Sequence, residues 1–243
     1  MIIQGTSVSV RYKKIDNLKR TYFNNEDILK DHFVEATALP IPDDAPVEVP
    51  RIIVKSANEH SQLNLTPVNA TLQINFDNGF ELNWTSCKLY ILEKMKVIFR
   101  LLNEMTKNEY EYIGVVTEIL LTDKYNQGTD IITSNLLKSN QLKGIYDMNV
   151  KYTFVEDENM FVNIVLQNAR LYKEDVNIDK AGSLRCENQA AETIGAIIDI
   201  NDRYGFNNND DYKTDSIKLN CLVERLSEII DTKLITLLEQ GVY

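Results

Sequence analysis

The sequence predicts an α+β fold, an antiparallel β-sheet with two long amphipathic helices packed on it. The first observation is the stretch from Met148 to Tyr172, where apolar and polar residues alternate on both sides of an acidic break, as in a long β-hairpin. The second is the helical spacing of apolar residues in Lys88 to Lys107 and in Ser216 to Gln240. Because two strands cannot bury an apolar face against each other, the helices are expected to cover the sheet.

Shorter alternating or β-branched segments predict the other strands, for a total of about six to eight. They are Thr6 to Tyr12, Arg51 to Ser56, Leu63 to Leu65, Leu72 to Phe76, Tyr112 to Thr122 and Thr193 to Asn201. A tight hairpin turn is predicted at Asp77-Asn78-Gly79, because Asn and Gly tolerate positive φ. The returning strand would carry Phe80, Leu82 and Trp84, with Trp84 in the core rather than acting as a platform for a ligand.

The remaining segments carry weaker signals. Glu26 to Ala38 and Thr129 to Lys138 are predicted as short helices, Glu174 to Ala191 as a long loop and Asn207 to Asp211 as a turn. Four of the five prolines fall between Pro40 and Pro50. Because proline lacks an amide donor and restrains its preceding residue, this segment is predicted to be an extended surface crossover.

The domain organisation is expected to be one α+β domain over residues 1–243. In each half, strands precede one long helix, so we also expect a pseudo-repeat with halves of about 1–110 and 111–243. The shared sheet then has helices on one side.

The composition restricts the class of partner. The formal net charge of −10 argues against a general nucleic-acid or anionic-membrane surface, because phosphate groups would be repelled. The sequence has no secretory signal and no run of about 18 apolar residues. Three distant cysteines, Cys87, Cys186 and Cys221, are typical of reduced thiols. We therefore expect a cytoplasmic protein that binds neither nucleic acid nor membrane.

The common catalytic motifs are missing from the sequence. It has no phosphate-binding glycine loop, no nucleophile elbow and no zinc-protease helix, and no cofactor is expected. His32 and His60 are the only imidazoles, and both are interpreted as surface residues. Cys87 precedes a predicted helix whose N-terminus could lower the thiol pKa, but it has no assignable base, so a small helix-entry residue is the favoured interpretation.

An acidic cluster near the last strand is the best candidate for a divalent cation. It comprises Asp199, Asp202, Asp210 and Asp211. Carboxylates in a loop suit hard cations, and Asp199 and Asp202 would be the ligands. The spacing fails the EF-hand pattern, however, and negative charge is also favoured before a helix N-terminus. We therefore expect no metal, with the cluster acting as a capping loop.

Part of the chain resembles a sporadically distributed bacterial family of uncharacterised proteins of about 250 residues. The residues that carry the likeness are Leu72 to Phe76, Phe80 to Trp84, Tyr90 and Gly195 to Asp202. This resemblance covers most of the chain from about Pro40 onward and implies no activity. The strand-rich sheet, the long helix and the acidic balance are more distantly similar to SecB-like chaperones and their toxin-linked relatives.

These observations favour a non-enzymatic protein-binding module, chaperone-like or antitoxin-like and defence-associated, with a protein partner or a second copy as its ligand. The alternative is an enzyme with a dispersed, metal-dependent acidic site. An extended partner could add to a free sheet edge. The strand after the proline segment is the predicted edge, and the candidate partner-binding residues are Arg51, Ile52, Ile53 and Val54.

Overall fold

The computed structural model describes residues 1–34, 36–42, 44–77, 79–122, 128–138, 144–172 and 189–243. The strands are β1 (Ile2–Tyr12), β2 (Ala36–Ala38), β3 (Ile52–Lys55), β4 (Ser61–Thr66), β5 (Asn69–Asn75), β6 (Tyr110–Leu120), β7 (Asn149–Glu156), β8 (Met160–Tyr172) and β9 (Gln189–Asn201). The α-helices are α1 (Leu18–Phe23), α2 (Trp84–Thr106), α3 (Gly128–Ile131), α4 (Arg203–Asn208), α5 (Ser216–Glu228) and α6 (Leu234–Gln240). The fold is therefore mixed α+β, as the sequence predicts.

All nine strands form one antiparallel sheet in the order β2-β3-β4-β5-β1-β6-β9-β8-β7. The long β1 lies at the centre, between β5 and β6. Read outward from the β1–β6 pair, the order is β1-β5-β4-β3 on one side and β6-β9-β8-β7 on the other. The two sides differ at their ends, since β3 is followed by β2 and β7 is the last described strand.

One face of the sheet is apolar and covered. The register places a continuous apolar row across eight strands: Val54, Leu63, Leu72, Val8, Val115, Ile200, Val162 and Phe154. All of these except Phe154 are buried, and they join one core cluster with the apolar residues of α2, α5 and α6. Burial of this row, together with the rest of the core cluster, stabilises the fold.

The two helical segments meet over this face. The Trp84 indole N–H donates to Ser227 Oγ at 2.9 Å, and Lys88 Nζ lies 2.6 Å from Glu224 Oε2. Trp84 is buried, which confirms its expected place in the core. The Asp215 carboxylate accepts hydrogen bonds from the amides of the first turn of α5, and a π-helical segment, Ile229–Lys233, joins α5 to α6.

The predicted strand from Phe80 to Trp84 is wrong. Phe80–Leu82 forms a 3₁₀ turn instead, and α2 begins at Trp84. The reason is local, because Asn83 caps the helix by accepting a hydrogen bond from the Ser86 amide. Leu82 is then 66% exposed rather than facing a core. Asn78 of the predicted turn lies outside the described residues.

Other sequence predictions also need correction. In the described part of the predicted helix Glu26 to Ala38, Glu26–Ile28 forms a 3₁₀ turn and Ala36–Ala38 forms β2. The predicted turn Asn207 to Asp211 overlaps the end of α4. Most of the predicted loop Glu174 to Ala191 lies outside the described residues. None of the described helices has the length and hydropathy needed to cross a bilayer.

Candidate functional site

The second face of the sheet carries the candidate site. The register places a mainly polar row on it across eight strands: Lys55, Gln62, Gln73, Ser7, Val116, Asp199, Asn163 and Thr153. These side chains are half-buried or exposed in the part of the chain that the structure describes. We call this side the polar face. It follows from strand geometry, since residues that alternate with the buried row must point the other way.

Neutral side chains on β1, β4 and β5 form a hydrogen-bonded network on the polar face. Ser9 Oγ donates to Asn69 Oδ1 at 3.0 Å, and Asn69 Nδ2 donates to Thr71 Oγ1 at 2.7 Å. Nearby, Asn64 Nδ2 donates to Gln73 Oε1 at 3.1 Å. Each amide and hydroxyl group has further hydrogen-bonding capacity, so this area can both donate to and accept from a ligand.

An apolar patch adjoins this network on β6, β8 and β9. Val165 and Ile197 lie directly opposite each other on neighbouring strands. On β6 the exposed Glu118 lies directly opposite Ile197, and Val116 and Leu120 are the diagonal neighbours of Ile197 on either side of it. The four apolar side chains are half-buried. The polar face therefore combines neutral hydrogen-bonding groups with apolar surface that a ligand could bury.

The described residues form depressions on the polar face. One of about 330 Å³ lies between Gly5, Gln73 and Glu118. A second of about 330 Å³ lies beside Arg11 and is bordered by Pro50 of the proline segment. A third of about 190 Å³ lies where β6, β8 and β9 meet, and its lining includes Glu118. All three are lined by side chains of neighbouring strands, so each offers room for part of a ligand.

The helix α4 borders the polar face at one end. The Phe206 ring lies 5.5 Å from the Tyr112 ring, and the Tyr204 ring packs edge-on against Phe161 at 5.1 Å. Gly205 between them has no room for a larger residue, since an added Cβ would lie 2.6 Å from the Tyr212 ring. The sequence analysis missed this helix, because six residues are too few for a periodic pattern.

The four predicted partner-binding residues do not lie on a sheet edge. β3 pairs with β4 on one side and with β2 on the other. The backbone groups of Arg51 to Val54 are therefore engaged within the sheet, and the prediction that this strand is an edge is wrong. The physical reason is that Ala36–Ala38 adds a strand too short to be recognised from alternation.

The side chains of β3 also have structural roles. Arg51 is only 4% exposed, and its guanidinium donates to the Val49 and Ala45 carbonyl oxygens, both at 2.9 Å. It thereby holds the proline segment in place. Ile52 and Val54 are fully buried, and Ile53 faces the polar side. A partner-binding role for these four residues stays a prediction. The edge position that suggested this role is not found for β3.

The two candidate metal ligands have different surroundings and different hydrogen-bond partners. Asp199 lies on the polar face, where its carboxylate accepts hydrogen bonds from Asn163 and Asn201. Asp202 is fully buried, and its two oxygens accept from the Ile113 amide at 2.6 Å and the Tyr212 hydroxyl at 2.9 Å. They therefore do not form a shared cation site. No group of three or more metal-ligating side chains occurs among the described residues.

A small pocket of about 190 Å³ lies near the start of α2. Its lining includes Phe76, Phe80 and Tyr90, together with His60, whose Nδ1 lies 3.3 Å from Asp77 Oδ1. The sequence analysis placed His60 on the surface and did not connect it with these aromatic residues. Three separate segments form the pocket, so no local spacing could have indicated it.

Cys87 lies in the first turns of α2, but burial raises the pKa of its thiol to about 11. The thiol donates to the Phe80 carbonyl oxygen at 3.2 Å. The pKa of the thiol is therefore not lowered by the helix N-terminus. The interpretation of Cys87 as a small helix-entry residue is favoured.

We expect alkylation of Cys87 to be slow. At pH 8 its thiolate population, and hence its rate with iodoacetamide, should be on the order of a hundredfold below that of an ordinary thiol, and should rise with pH up to about 11. Site-resolved mass spectrometry would measure this, with the exposed Cys221 as the internal reference. Equal rates at the two positions would contradict the burial of Cys87.

Comparison with known proteins adds no assignment to this geometry. No protein-family model matches the chain, and no curated protein is significantly similar to it.

Proposed function

We propose that this protein is a non-enzymatic, chaperone-like binding module that takes extended polypeptide on the polar face. The observation that carries the proposal is the position of the apolar patch beside the neutral hydrogen-bonding network. An extended polypeptide offers unpaired amides and carbonyls together with apolar side chains, so it can engage both areas at once. The depressions on this face provide room for side chains of such a ligand.

The acidic charge and the likeness to SecB-like chaperones support the same proposal. A net charge of −10 favours basic or neutral ligands over nucleic acid, and it fits a protein of the cytoplasm. An antitoxin or defence-associated role belongs to the same class, because it also requires capture of another polypeptide. The resemblance to the bacterial family of uncharacterised proteins adds no activity.

We favour binding over the enzyme alternative, which was suggested by Asp199 and Asp202. A metal-dependent site built from Asp199 and Asp202 would need both carboxylates free to bind one cation, and each is engaged by different groups of the protein. No other observation favours catalysis on the polar face.

We further propose that the chain is an internal duplication, with halves of about 1–110 and 111–243. The support is the shared strand order outward from the central β1–β6 pair. Each half then has four strands in the same arrangement, followed by α2 or by α5, and the first half has β2 as a fifth strand.

Loss of the apolar patch is expected to weaken client binding. We expect the protein to bind a reduced and carboxymethylated, permanently unfolded protein, measured by fluorescence anisotropy. The double substitution Val165→Ser and Ile197→Ser should raise the Kd about tenfold or more, since the aliphatic contacts are worth about 1–3 kcal/mol.

The matched control is Ile217→Ser, which changes an exposed residue on α5, away from the polar face. Its Kd should equal that of the unmodified protein. Absence of binding by the unmodified protein, or equal affinity of the double variant, would contradict the proposed function.

A further inference from the structure

β7 forms one end of the sheet and, of the described strands, pairs with β8 alone. It has eight residues, whereas β2 at the opposite end has three. Long edge strands are commonly blunted by proline or by several charges. β7 has no proline, and Lys151 is the one charged residue before Glu156.

The register shows which backbone groups of β7 point away from β8. The Asn168 amide donates to the Met148 carbonyl oxygen at 3.2 Å, one step beyond the pair of Asn149 and Gln167. In an antiparallel pair, alternate residues exchange hydrogen bonds with the partner, and those between them point away. The even-numbered residues of β7 therefore bond β8, while Lys151, Thr153 and Val155 direct their amides and carbonyls toward the edge.

At the opposite end of the sheet, a short strand is added to β3, the strand that corresponds in position to β7. β3 holds the same position relative to β1 as β7 holds relative to β6. There, β2 adds to the outer edge, with Thr37 opposite Ile53. The amides of Val34 and Leu39 extend this pairing by donating to the Lys55 and Arg51 carbonyl oxygens, both at 2.8 Å. A short extended segment is therefore a ligand that this kind of edge can take.

The side chains of β7 on the covered face determine which kind of side chain an added segment should have on that face. Val150, Tyr152 and Phe154 are half-buried there. The Phe154 ring stacks on Tyr243 at 3.9 Å, and the Tyr152 ring continues the stack at 6.2 Å. Apolar side chains at alternate positions of an added strand would lie beside these rings and remove them from water.

The end of β7 is fixed by a partly buried ion pair. Glu156 accepts hydrogen bonds from Arg225 Nε and from the Tyr243 hydroxyl, both at 2.6 Å. Burial works to raise the pKa of Glu156, but these two hydrogen bonds outweigh it and hold the pKa below its usual value. The edge is therefore anchored to α5, and the charge of Glu156 is already compensated.

The turn after β7 adds charge that is not compensated in this way. Asp157 and Glu158 follow Glu156 directly, and both are exposed. A cationic residue at the nearby end of an added segment would be attracted by these carboxylates.

We propose that β7 binds an extended peptide as a tenth strand, with apolar residues at alternate positions and lysine or arginine at the end beside Asp157 and Glu158. This rests on the proposed function and deepens it, since the strand edge would fix the backbone of a polypeptide that the protein takes up. Main-chain hydrogen bonds would provide affinity, and the side chains at alternate positions would determine which peptide sequences bind best.

The test uses the full chain and a fluorescein-labelled peptide of sequence KTVTFTVK. Thr153→Pro removes an amide that points toward the edge, and proline is tolerated at such positions. We expect it to raise the Kd at least tenfold. Thr153→Val is the matched control, because it also loses the hydrogen bond to Asn163 but keeps the amide, and its Kd should be unchanged. The peptide ETVTFTVE should bind more weakly than KTVTFTVK.

Hydrogen exchange provides a measurement that needs no variant. The amides of Lys151, Thr153 and Val155 should exchange quickly in the free protein and become protected when KTVTFTVK is added. Strong protection without peptide, or equal peptide affinity of Thr153→Pro and Thr153→Val, would overturn the proposal.

The two proposals fail in distinguishable ways. If the unfolded client binds through the apolar patch while KTVTFTVK binds equally to both Thr153 variants, the edge proposal falls and the proposed function stands. If the unmodified protein binds neither ligand, both fall. A dimer in sedimentation that Thr153→Pro dissociates, with no binding of the peptide, would replace the peptide by a second copy of the chain.

Discussion

Leu226→Asp is expected to prevent folding. Leu226 lies on α5, is fully buried and belongs to the core cluster beneath the sheet. An unpaired charge at this position costs several kcal/mol in addition to the lost apolar contacts. Since the free energy of unfolding of a typical domain is about 5–15 kcal/mol, most or all of the stability should be lost.

Circular dichroism during thermal unfolding would measure this effect. The control is Leu226→Met, which places an apolar side chain of similar volume at this position. It should lower the free energy of unfolding by less than about 1.5 kcal/mol. A melting temperature of Leu226→Asp equal to that of the unmodified protein would mean that this face of α5 does not contact the core.

Asp202→Ala should be strongly destabilising, by about 3–5 kcal/mol. The carboxylate of Asp202 accepts two hydrogen bonds in a fully buried site, from the Ile113 amide and the Tyr212 hydroxyl. Hydrogen bonds to charged groups contribute about 1.5–3 kcal/mol each, and their loss would leave a buried amide without an acceptor. Burial, followed by the neighbouring Asp202 charge, raises the pKa of Tyr212, so this phenol stays protonated as a donor.

Urea unfolding would give the change in free energy, and Asp199→Ala is the matched control. Asp199 lies on the polar face with partly solvated partners, so its removal should cost less than about 1 kcal/mol. Similar losses for the two variants would show that Asp202 is not the buried acceptor described above.

The elements with strong periodic patterns could be predicted from the sequence. Alternation identified the hairpin β7–β8 and the strand β5, and helical spacing identified α2 and the segment beginning at Ser216. These patterns are informative because each element has one apolar face that must be buried.

The order of strands in the sheet could not be predicted. Alternation shows that a segment is a strand, but it does not identify its neighbours, and this is why β3 was placed at an edge. Short elements such as β2 and α4 were missed because packing determines them more than local preference does. The candidate site shares this limit, since the polar face brings together residues from all parts of the sheet.

The central position of β1 affects how the chain acquires its structure. Thr6 and Thr117 share a hydrogen bond at the middle of the sheet, although 111 residues separate them in sequence. Pairings of such high contact order are slow to form, because loop-closure entropy must be overcome before their contacts contribute. During synthesis β1 leaves the ribosome long before β6, so its backbone stays unpaired on that side while the intervening chain is made. The nascent chain thus passes through a stage in which its future central strand is open to aggregation.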